Sequence, residues 1–304
     1  MKISSFSKQD VSRRLKYKGL CFQIGPFVIN VSSPISAVLD NIYSLYSDYE
    51  IENDGFADFH IAIEKSSGLR AFWRPQANFV FDGFVPFKPL PFEQSFALFE
   101  WGLNWCIASY AHQYLILHSA VVEKNGVAVI LPGSPGAGKS TLCTTLVNSE
   151  WRLFSDEMAL ICPNSLEVVP IPRPISLKNE SIEIIANRFP DVEFGLLADD
   201  THKGRITHVK PPVESLQRSN ESAKVKWIIF PKYKNNSPLV VDPMHKADAF
   251  MKTAEQGFNY QILGEQGFDT LAALIDTVET YSLEYSNLDD AITYFEQLSV
   301  QDKK

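Results

Sequence analysis

The stretch Val127-Ala128-Val129-Ile130-Leu131-Pro132-Gly133-Ser134-Pro135-Gly136-Ala137-Gly138-Lys139-Ser140-Thr141-Leu142-Cys143-Thr144-Thr145-Leu146-Val147 decides how the rest of the chain is read. An apolar run, a glycine-rich turn and a helical run follow one another. A G-x-x-x-x-G-K-[ST] phosphate-binding loop requires that order. Gly133, Gly136 and Gly138 are expected to adopt left-handed backbone conformations and to let the chain approach an anion closely. Successive N–H groups then converge on the anion, and the positive end of the helix dipole faces the same way. Lys139 can reach the β- and γ-phosphates, and Ser140 can offer a hydroxyl to Mg²⁺. The expected nucleotide site is therefore Gly133, Ser134, Pro135, Gly136, Ala137, Gly138, Lys139, Ser140 and Thr141. The competing reading is a glycine-rich connector with no ligand.

Bulk properties narrow the function classes. At 304 residues the chain holds one large domain or two smaller ones. A net charge of −8 with no basic tract argues against a nucleic-acid partner. Cys21, Cys106, Cys143 and Cys162 are scattered, with no C-x-x-C pair. That argues against a zinc site or a disulfide framework and fits a reducing cytoplasm. The most apolar window, Phe96 to Tyr110, contains Glu100 and Asn104, so it reads as a buried helix and no membrane partner is expected.

Upstream of the loop, Lys124-Asn125-Gly126 between apolar runs is a hairpin signal. The strand Tyr114–Val122 should therefore run antiparallel to the loop strand, unlike the order of an ordinary doubly wound nucleotide-binding fold. Phe92–His112 reads as a long helix before it. Residues 1–90 read as a small α+β region: a loose basic arm over the first twenty residues, a strand at Phe27–Val31, a helix over 35–47 with Ser33 as N-cap, and strands at Phe59–Ile63, Leu69–Trp73 and Asn78–Phe81. Phe72, Trp73, Phe79, Phe81, Phe84 and Phe87 read as its core under a thin sheet, with the lining of a partner groove as the alternative. Residues 91–304 form the second region, a phosphate-loop α/β domain. Downstream, Trp151–Phe154 reads as a strand meeting Asp156-Glu157, an acidic pair only seventeen residues past Lys139. Pro172-Arg173-Pro174 is extended. Gly195–Gly204 is a polar, mobile loop; strands follow at Ile206–Val209 and Lys226–Phe230, and helices at Ala247–Gln256, Gly267–Thr280 and Asn287–Leu298.

Three elements can converge on one phosphate. The loop cradles it. Asp156 and Glu157, at a strand end, can hold Mg²⁺ together with Ser140 or accept a proton from an attacking hydroxyl. His118, ending the strand beside the loop strand, can orient a carboxylate, ligate metal or contact the transferred group. The alternatives are a solvated turn for the acidic pair and a hydrogen-bonded core histidine for His118. Arg173, rigidly presented between prolines, is a candidate for neutralising charge on the transferred group. Lys203 and Arg205 are weaker candidates, and His202 and His208 read as surface residues.

His118-Ser119-Ala120-Val121-Val122, Gly126 to Leu131, Gly133 to Ser140 and Phe154-Ser155-Asp156-Glu157 together resemble the catalytic core of HPr kinase/phosphorylase. More closely they are similar to the HPr-kinase-related kinases called HprK-related kinase A. Pro172 to Asn179 and Lys203-Gly204-Arg205 resemble that subgroup too. The resemblance implies a P-loop fold shared with phosphoenolpyruvate carboxykinase, in which the acidic pair closely follows the loop. It also implies ATP- and Mg²⁺-dependent transfer to a serine hydroxyl, with Asp156 as proton acceptor and His118 and the second acid supporting metal and phosphate. The chain differs from HPr kinase in having Glu157 for a second aspartate, Thr141 for a glutamate, no glutamate-arginine-glycine signature and a different N-terminal region. The expected acceptor is accordingly a hydroxyl on a peptide, small protein or small molecule, and a homo-oligomer is left open. A nucleotide-binding sensor or assembly module with little transfer is the alternative from a different class.

Overall fold

The computed structural model describes residues 1–52, 56–67 and 74–301. The expected strand Leu69–Trp73, with Gly68, Phe72 and Trp73, lies outside the described residues. The fold is mixed α/β, and the chain divides into two compact units: Met1–Ile107 with Arg173–Leu216, and Ala108–Pro172 with Gln217–Lys304. The division does not fall at residue 90. The segment after Pro172 rejoins the N-terminal unit and leaves it again at Leu216, a long-range return that no local periodicity encodes. Strands are numbered in chain order.

In the first unit β1 (Leu20–Ile24), β2 (Phe27–Ser32), β3 (Phe59–Lys65), β4 (Gln76–Phe81) and β5 (Leu90–Pro91) form a five-stranded sheet in that order. β2 and β3 are parallel and the other neighbours antiparallel. Buried and half-buried residues alternate along β1 and β2, as a sheet with one covered face demands. The helix Ser36–Leu45 starts just after Pro34 and buries Val38, Ile42 and Leu45. Ser33 Oγ accepts from the Ile35 N–H at 3.1 Å and donates to the Ile63 carbonyl at 2.8 Å, so it ties the helix start to β3. The first twenty residues are not a loose arm. Lys8–Tyr17 is a helix, capped by Ser7 Oγ on the Asp10 N–H at 3.1 Å, with Val11 and Leu15 buried one turn apart. Two apolar residues among eight polar neighbours are too sparse a pattern to announce it.

A second, three-stranded sheet of the same unit has the order β11 (Ile175–Lys178), β13 (Gly204–Val209), β12 (Ala198–Thr201), all antiparallel. The expected mobile loop Gly195–Gly204 therefore contains a strand and its turn. Thr201 Oγ1 donates to the Gly204 carbonyl at 2.6 Å and accepts from the Lys203 N–H at 3.1 Å. Asn179 locks the same turn from outside, accepting from the Arg205 N–H at 3.1 Å and donating to the Lys203 carbonyl at 3.2 Å. At Gly204, with φ +82°, a Cβ would sit 2.1 Å from Asn179 Oδ1, so Asn179 and Gly204 need each other.

His208, expected at the surface, is buried on β13, its ring edge-on to Phe96 at 5.1 Å. Burial, then the positive charges of Arg173 and Lys178, lower its pKa from 6.5 to about 3. The unfolded chain thus binds a proton between pH 6.5 and 3 that the folded chain does not, so falling pH favours unfolding across that window. Wild type is expected to lose stability relative to His208→Leu by up to about 1.4 kcal/mol per pH unit as pH falls from 6.5 towards 3. Above pH 6.5 the difference should be flat. Denaturant melts of both proteins from pH 8 to 4 measure it, and parallel curves would refute it.

The second unit is built on one eight-stranded sheet. Its main path is β10 (Glu167–Val169), β9 (Met158–Ile161), β6 (Leu115–Lys124), β7 (Val127–Pro132), β14 (Ala223–Tyr233), β16 (Glu279–Tyr285), β15 (Val240–Pro243), with β8 (Arg152–Ser155) also on β6. β10 pairs with β14 as well as β9, so β10, β9, β6, β7 and β14 close a ring of pairings. β6 and β7 form the expected antiparallel hairpin, with Asn125 at φ +57° and Gly126 at φ +86° in its turn. β7 is parallel to β14, and β14 to β16. Strand β16 carries no strong periodic signal, and the sequence pattern does not predict it. The helices Lys139–Val147, Lys246–Ala254, Glu265–Thr277 and Leu288–Gln301 complete the unit. All four cysteines are free thiols, and among the described residues no helix is long and apolar enough to cross a membrane.

Candidate functional site

The register around β6 assembles the site. On one side Ser119 pairs with Pro132, so the loop beginning at Gly133 leaves the sheet beside Ser119 and His118. On the other side β6 pairs with β8 through Val121↔Ser155 and with β9 through His118↔Met158. Asp156 and Glu157, between those two strands, therefore fall opposite Ser119 and Ala120, at the middle of β6. His118 lies inside that strand rather than ending it, because β9 extends the pairing back to Leu115. The middle of one strand thus gathers the loop, the histidine and the acidic pair, all within the second unit.

Gly136 and Gly138 have φ of +87° and +89°. Gly133 does not share their left-handed backbone; it follows directly on β7, before the tight part of the loop begins. Gly138 is the tightest position. Its carbonyl accepts from Tyr285 Oη at 3.3 Å, and the Ala137 carbonyl accepts from the Tyr233 N–H at 3.1 Å. A Cβ on Gly138 would meet Tyr285 Oη at 2.7 Å and Tyr233 Cβ at 3.2 Å. Tyr233 ends β14 and Tyr285 ends β16, so the two strands parallel to β7 support the loop from beneath. Nothing in the loop motif points to these tyrosines. Burial pushes the Tyr285 hydroxyl's pKa up, so it stays a neutral donor. Gly138→Ala is expected to weaken nucleotide binding by at least tenfold and to lower stability by about 1–3 kcal/mol, because it adds a left-handed alanine to a filled space. Calorimetric ATP titration against wild type checks it; unchanged affinity would contradict it.

Lys139 is buried at the start of its helix. Its ammonium donates to the carbonyls of Gly133 and, at 3.4 Å, Ser134, and lies 3.4 Å from His118 Nε2. An ammonium can only donate, so Nε2 of His118 accepts and Nδ1 carries the proton. That Nδ1–H faces the Glu157 carbonyl at 3.2 Å and the Glu157 carboxylate at 3.6 Å. Lysine, histidine and glutamate thus form a continuous chain across the site. The Glu157 carbonyl also accepts from the Ser119 N–H at 3.2 Å, which pins the β8–β9 turn to β6.

Asp156 is 6% exposed. It lies against the phosphate-loop helix: burial first, and then the charge of Asp156, push the Cys143 thiol's pKa well up. Ser140 stands in the first turn of that helix, where backbone N–H groups have no intrahelical partner. Among the described residues no three His, Cys, Asp or Glu side chains form a metal cluster of their own. Mg²⁺ in nucleotide sites does not require one, since it takes one or two carboxylates and completes its shell with water and phosphate. Ser140, Asp156 and Glu157 fit that donor set, and the left-handed Gly136 and Gly138 fit the phosphates.

The sequence reading missed the segment that backs His118. The His118 N–H donates to the Gln256 carbonyl at 2.7 Å, and the Phe258 N–H to the Ile116 carbonyl at 2.8 Å. Asn259, fully buried, accepts from the Ile116 N–H at 2.9 Å and donates to the Tyr114 carbonyl at 2.8 Å. This clasp lays Phe258 edge-on against the His118 ring at 5.5 Å. Nothing in the sequence around Asn259 marks it as buried.

The remaining candidates belong to the first unit. Arg173 is buried there, hydrogen-bonded to Asn104 and 3.7 Å from Glu100, which also accepts from Tyr46 Oη at 2.5 Å. Arg205 pairs with Glu183 at 2.5 Å on the surface. His202 and Lys203 lie against Trp101 at 5.2 and 5.5 Å.

No curated protein matches the chain. Residues 104–184, about a quarter of the chain, match the family described as SynChlorMet cassette protein ScmC, a stretch that contains β6, the phosphate loop and the acidic pair.

Proposed function

We propose that the chain is a P-loop kinase of the HPr kinase and phosphoenolpyruvate carboxykinase type. In this reading it transfers the γ-phosphoryl group of ATP to a hydroxyl, of serine type, on a peptide, small protein or small molecule. The observation that carries the proposal is the meeting of Lys139, His118, Asp156 and Glu157 at the middle of β6. A glycine-rich connector needs neither a buried lysine nor an acidic turn beside it.

In the proposed chemistry Lys139 holds the β- and γ-phosphates, with the loop N–H groups around them. Ser140, Asp156 and Glu157 hold Mg²⁺, which when bound offsets charge on the phosphates. Asp156 orients the acceptor hydroxyl and takes its proton. His118, with its Nδ1–H fixed towards Glu157, keeps that carboxylate and the Lys139 ammonium in place. Positioning and charge neutralisation carry most of the rate in such transfers. Arg173, beside Glu100 and Asn104 in the first unit, is the candidate in this reading for neutralising charge on the transferred group.

The test is transfer of label from γ-labelled ATP to proteins and small metabolites of a lysate, with wild type and Lys139→Ala. An acid-stable phosphoserine species labelled by wild type alone is the expected result. Calorimetric ATP binding with no labelled acceptor, from lysate or from purified candidates, would favour the sensor or assembly reading instead.

A further inference from the structure

The first unit contains a cavity of about 240 Å³ that the proposed kinase chemistry does not use. Its walls are apolar: Ala37 on the helix Ser36–Leu45, Phe96 and Ala97 on the helix Ser95–Tyr110, Ala198 on β12 and Ile206 on β13. Leu196 and Leu197 rim it, 52% and 44% exposed, so the cavity has a mouth. An apolar cavity of roughly 150 Å³ is already large enough to take benzene. This one has room for a substituted ring.

The polar groups of the lining differ in what they leave open. Asn41 is occupied: its Oδ1 accepts from the Leu196 N–H at 2.9 Å and its Nδ2 donates to the Ala37 carbonyl at 2.8 Å. Glu93 is exposed and sets a negative charge at the rim. His208 is 2% exposed, and its Nε2 has no hydrogen-bond partner. A buried ring nitrogen without a partner costs free energy that a ligand can recover.

We propose that this cavity is a binding site for a small neutral ligand, a ring or branched apolar group bearing one hydroxyl, with the hydroxyl on His208 Nε2. A hydroxyl both donates and accepts, so it suits either tautomer of a neutral histidine. An anion is disfavoured by Glu93 at the mouth, and a cation by Arg173 and Lys178, the positive charges that act on His208. The proposal is independent of the kinase reading.

The probes are p-cresol and toluene, which differ by the hydroxyl alone. Ala37, Ala97 and Ala198 place three alanine methyls in the wall, so titrations of the full chain carrying ¹³C-labelled alanine methyls report binding directly. Saturable shifts of these methyls are expected with both compounds, with p-cresol binding about tenfold tighter, the worth of one neutral hydrogen bond. His208→Leu should bring the two affinities together, and Ala37→Leu, at a half-buried position, should abolish both. N-acetyltyrosinamide against N-acetylphenylalaninamide, run the same way, separates a peptide side chain from a free small molecule as the source of the group. Absence of saturable shifts in wild type overturns the proposal, as does equal affinity for p-cresol and toluene; neither outcome depends on a variant folding.

Discussion

Asp156→Asn is expected to reduce phosphoryl transfer by roughly 10²–10⁴-fold, the range for loss of a positioned general base. The substitution keeps the shape of a side chain that is almost fully buried against the phosphate-loop helix. It removes the negative charge and the capacity to take a proton. The loop itself, with Gly136, Gly138 and Lys139, is untouched, so binding of ATP without Mg²⁺ should change by less than about tenfold. These two quantities separate the roles given to Asp156. A residue that only holds metal would lose transfer in proportion to Mg²⁺ affinity, and saturating Mg²⁺ would restore the rate. A proton acceptor would stay slow at any Mg²⁺ concentration. Single-turnover transfer and calorimetric binding, each run over a Mg²⁺ series, decide between them. Transfer within a factor of a few of wild type would remove Asp156 from the chemistry altogether.

What the sequence made legible was local. The hairpin could be read from Asn125-Gly126 because only residues that tolerate positive φ make that turn. The loop could be read from its glycines and lysine, and the acidic pair from its position at a strand end. Two features then follow from the pairing on both sides of β6: the loop, His118 and the acidic pair share the middle of the strand, and β8 and β9 both use β6 as partner. Neither requires anything beyond short connections.

What stayed hidden depended on distant partners. Asn259 clasps Ile116 across 143 positions of sequence, and Tyr285 reaches Gly138 across 147. No periodicity announces such contacts, since they arise from where strands lie in the sheet. The same holds for Arg173. Between two prolines it reads as a rigidly presented cation; the chain has crossed back to the first unit by that point and buries it beside Glu100 and Asn104. His208 is buried, against expectation, for a related reason. A histidine between Thr207 and Val209 looks polar until the helix Ser95–Tyr110 sets Phe96 on it.

The far end of β6 carries the largest expected effect on stability. Glu123 and Arg152 face each other across β6 and β8, with side chains 1% and 3% exposed, and are directly hydrogen-bonded. Glu123 also accepts from the Gly126 N–H at 2.6 Å, so the same carboxylate holds the hairpin turn that leads into the loop strand. Arg152 is further held by the Arg218 carbonyl at 2.9 Å and the Glu221 carbonyl at 3.1 Å, and lies over the Phe154 ring at 4.4 Å. Burial lowers the Arg152 pKa from its usual value, yet a guanidinium has no neutral state to escape into near neutral pH. Glu123→Leu therefore strands a buried cation and frees the turn, at an expected cost of about 3–5 kcal/mol. Arg218, 3.7 Å from the same carboxylate, loses a partner too. The double variant Glu123→Leu, Arg152→Leu removes both charges and fills the space with apolar groups, so it should be more stable than Glu123→Leu alone. Denaturant melts of the two single variants and the double variant give the coupling energy. If Glu221, which lies 3.4 Å from Arg152 but is more than half exposed, can replace the lost carboxylate, Glu123→Leu will cost under about 1 kcal/mol and the buried-charge argument fails.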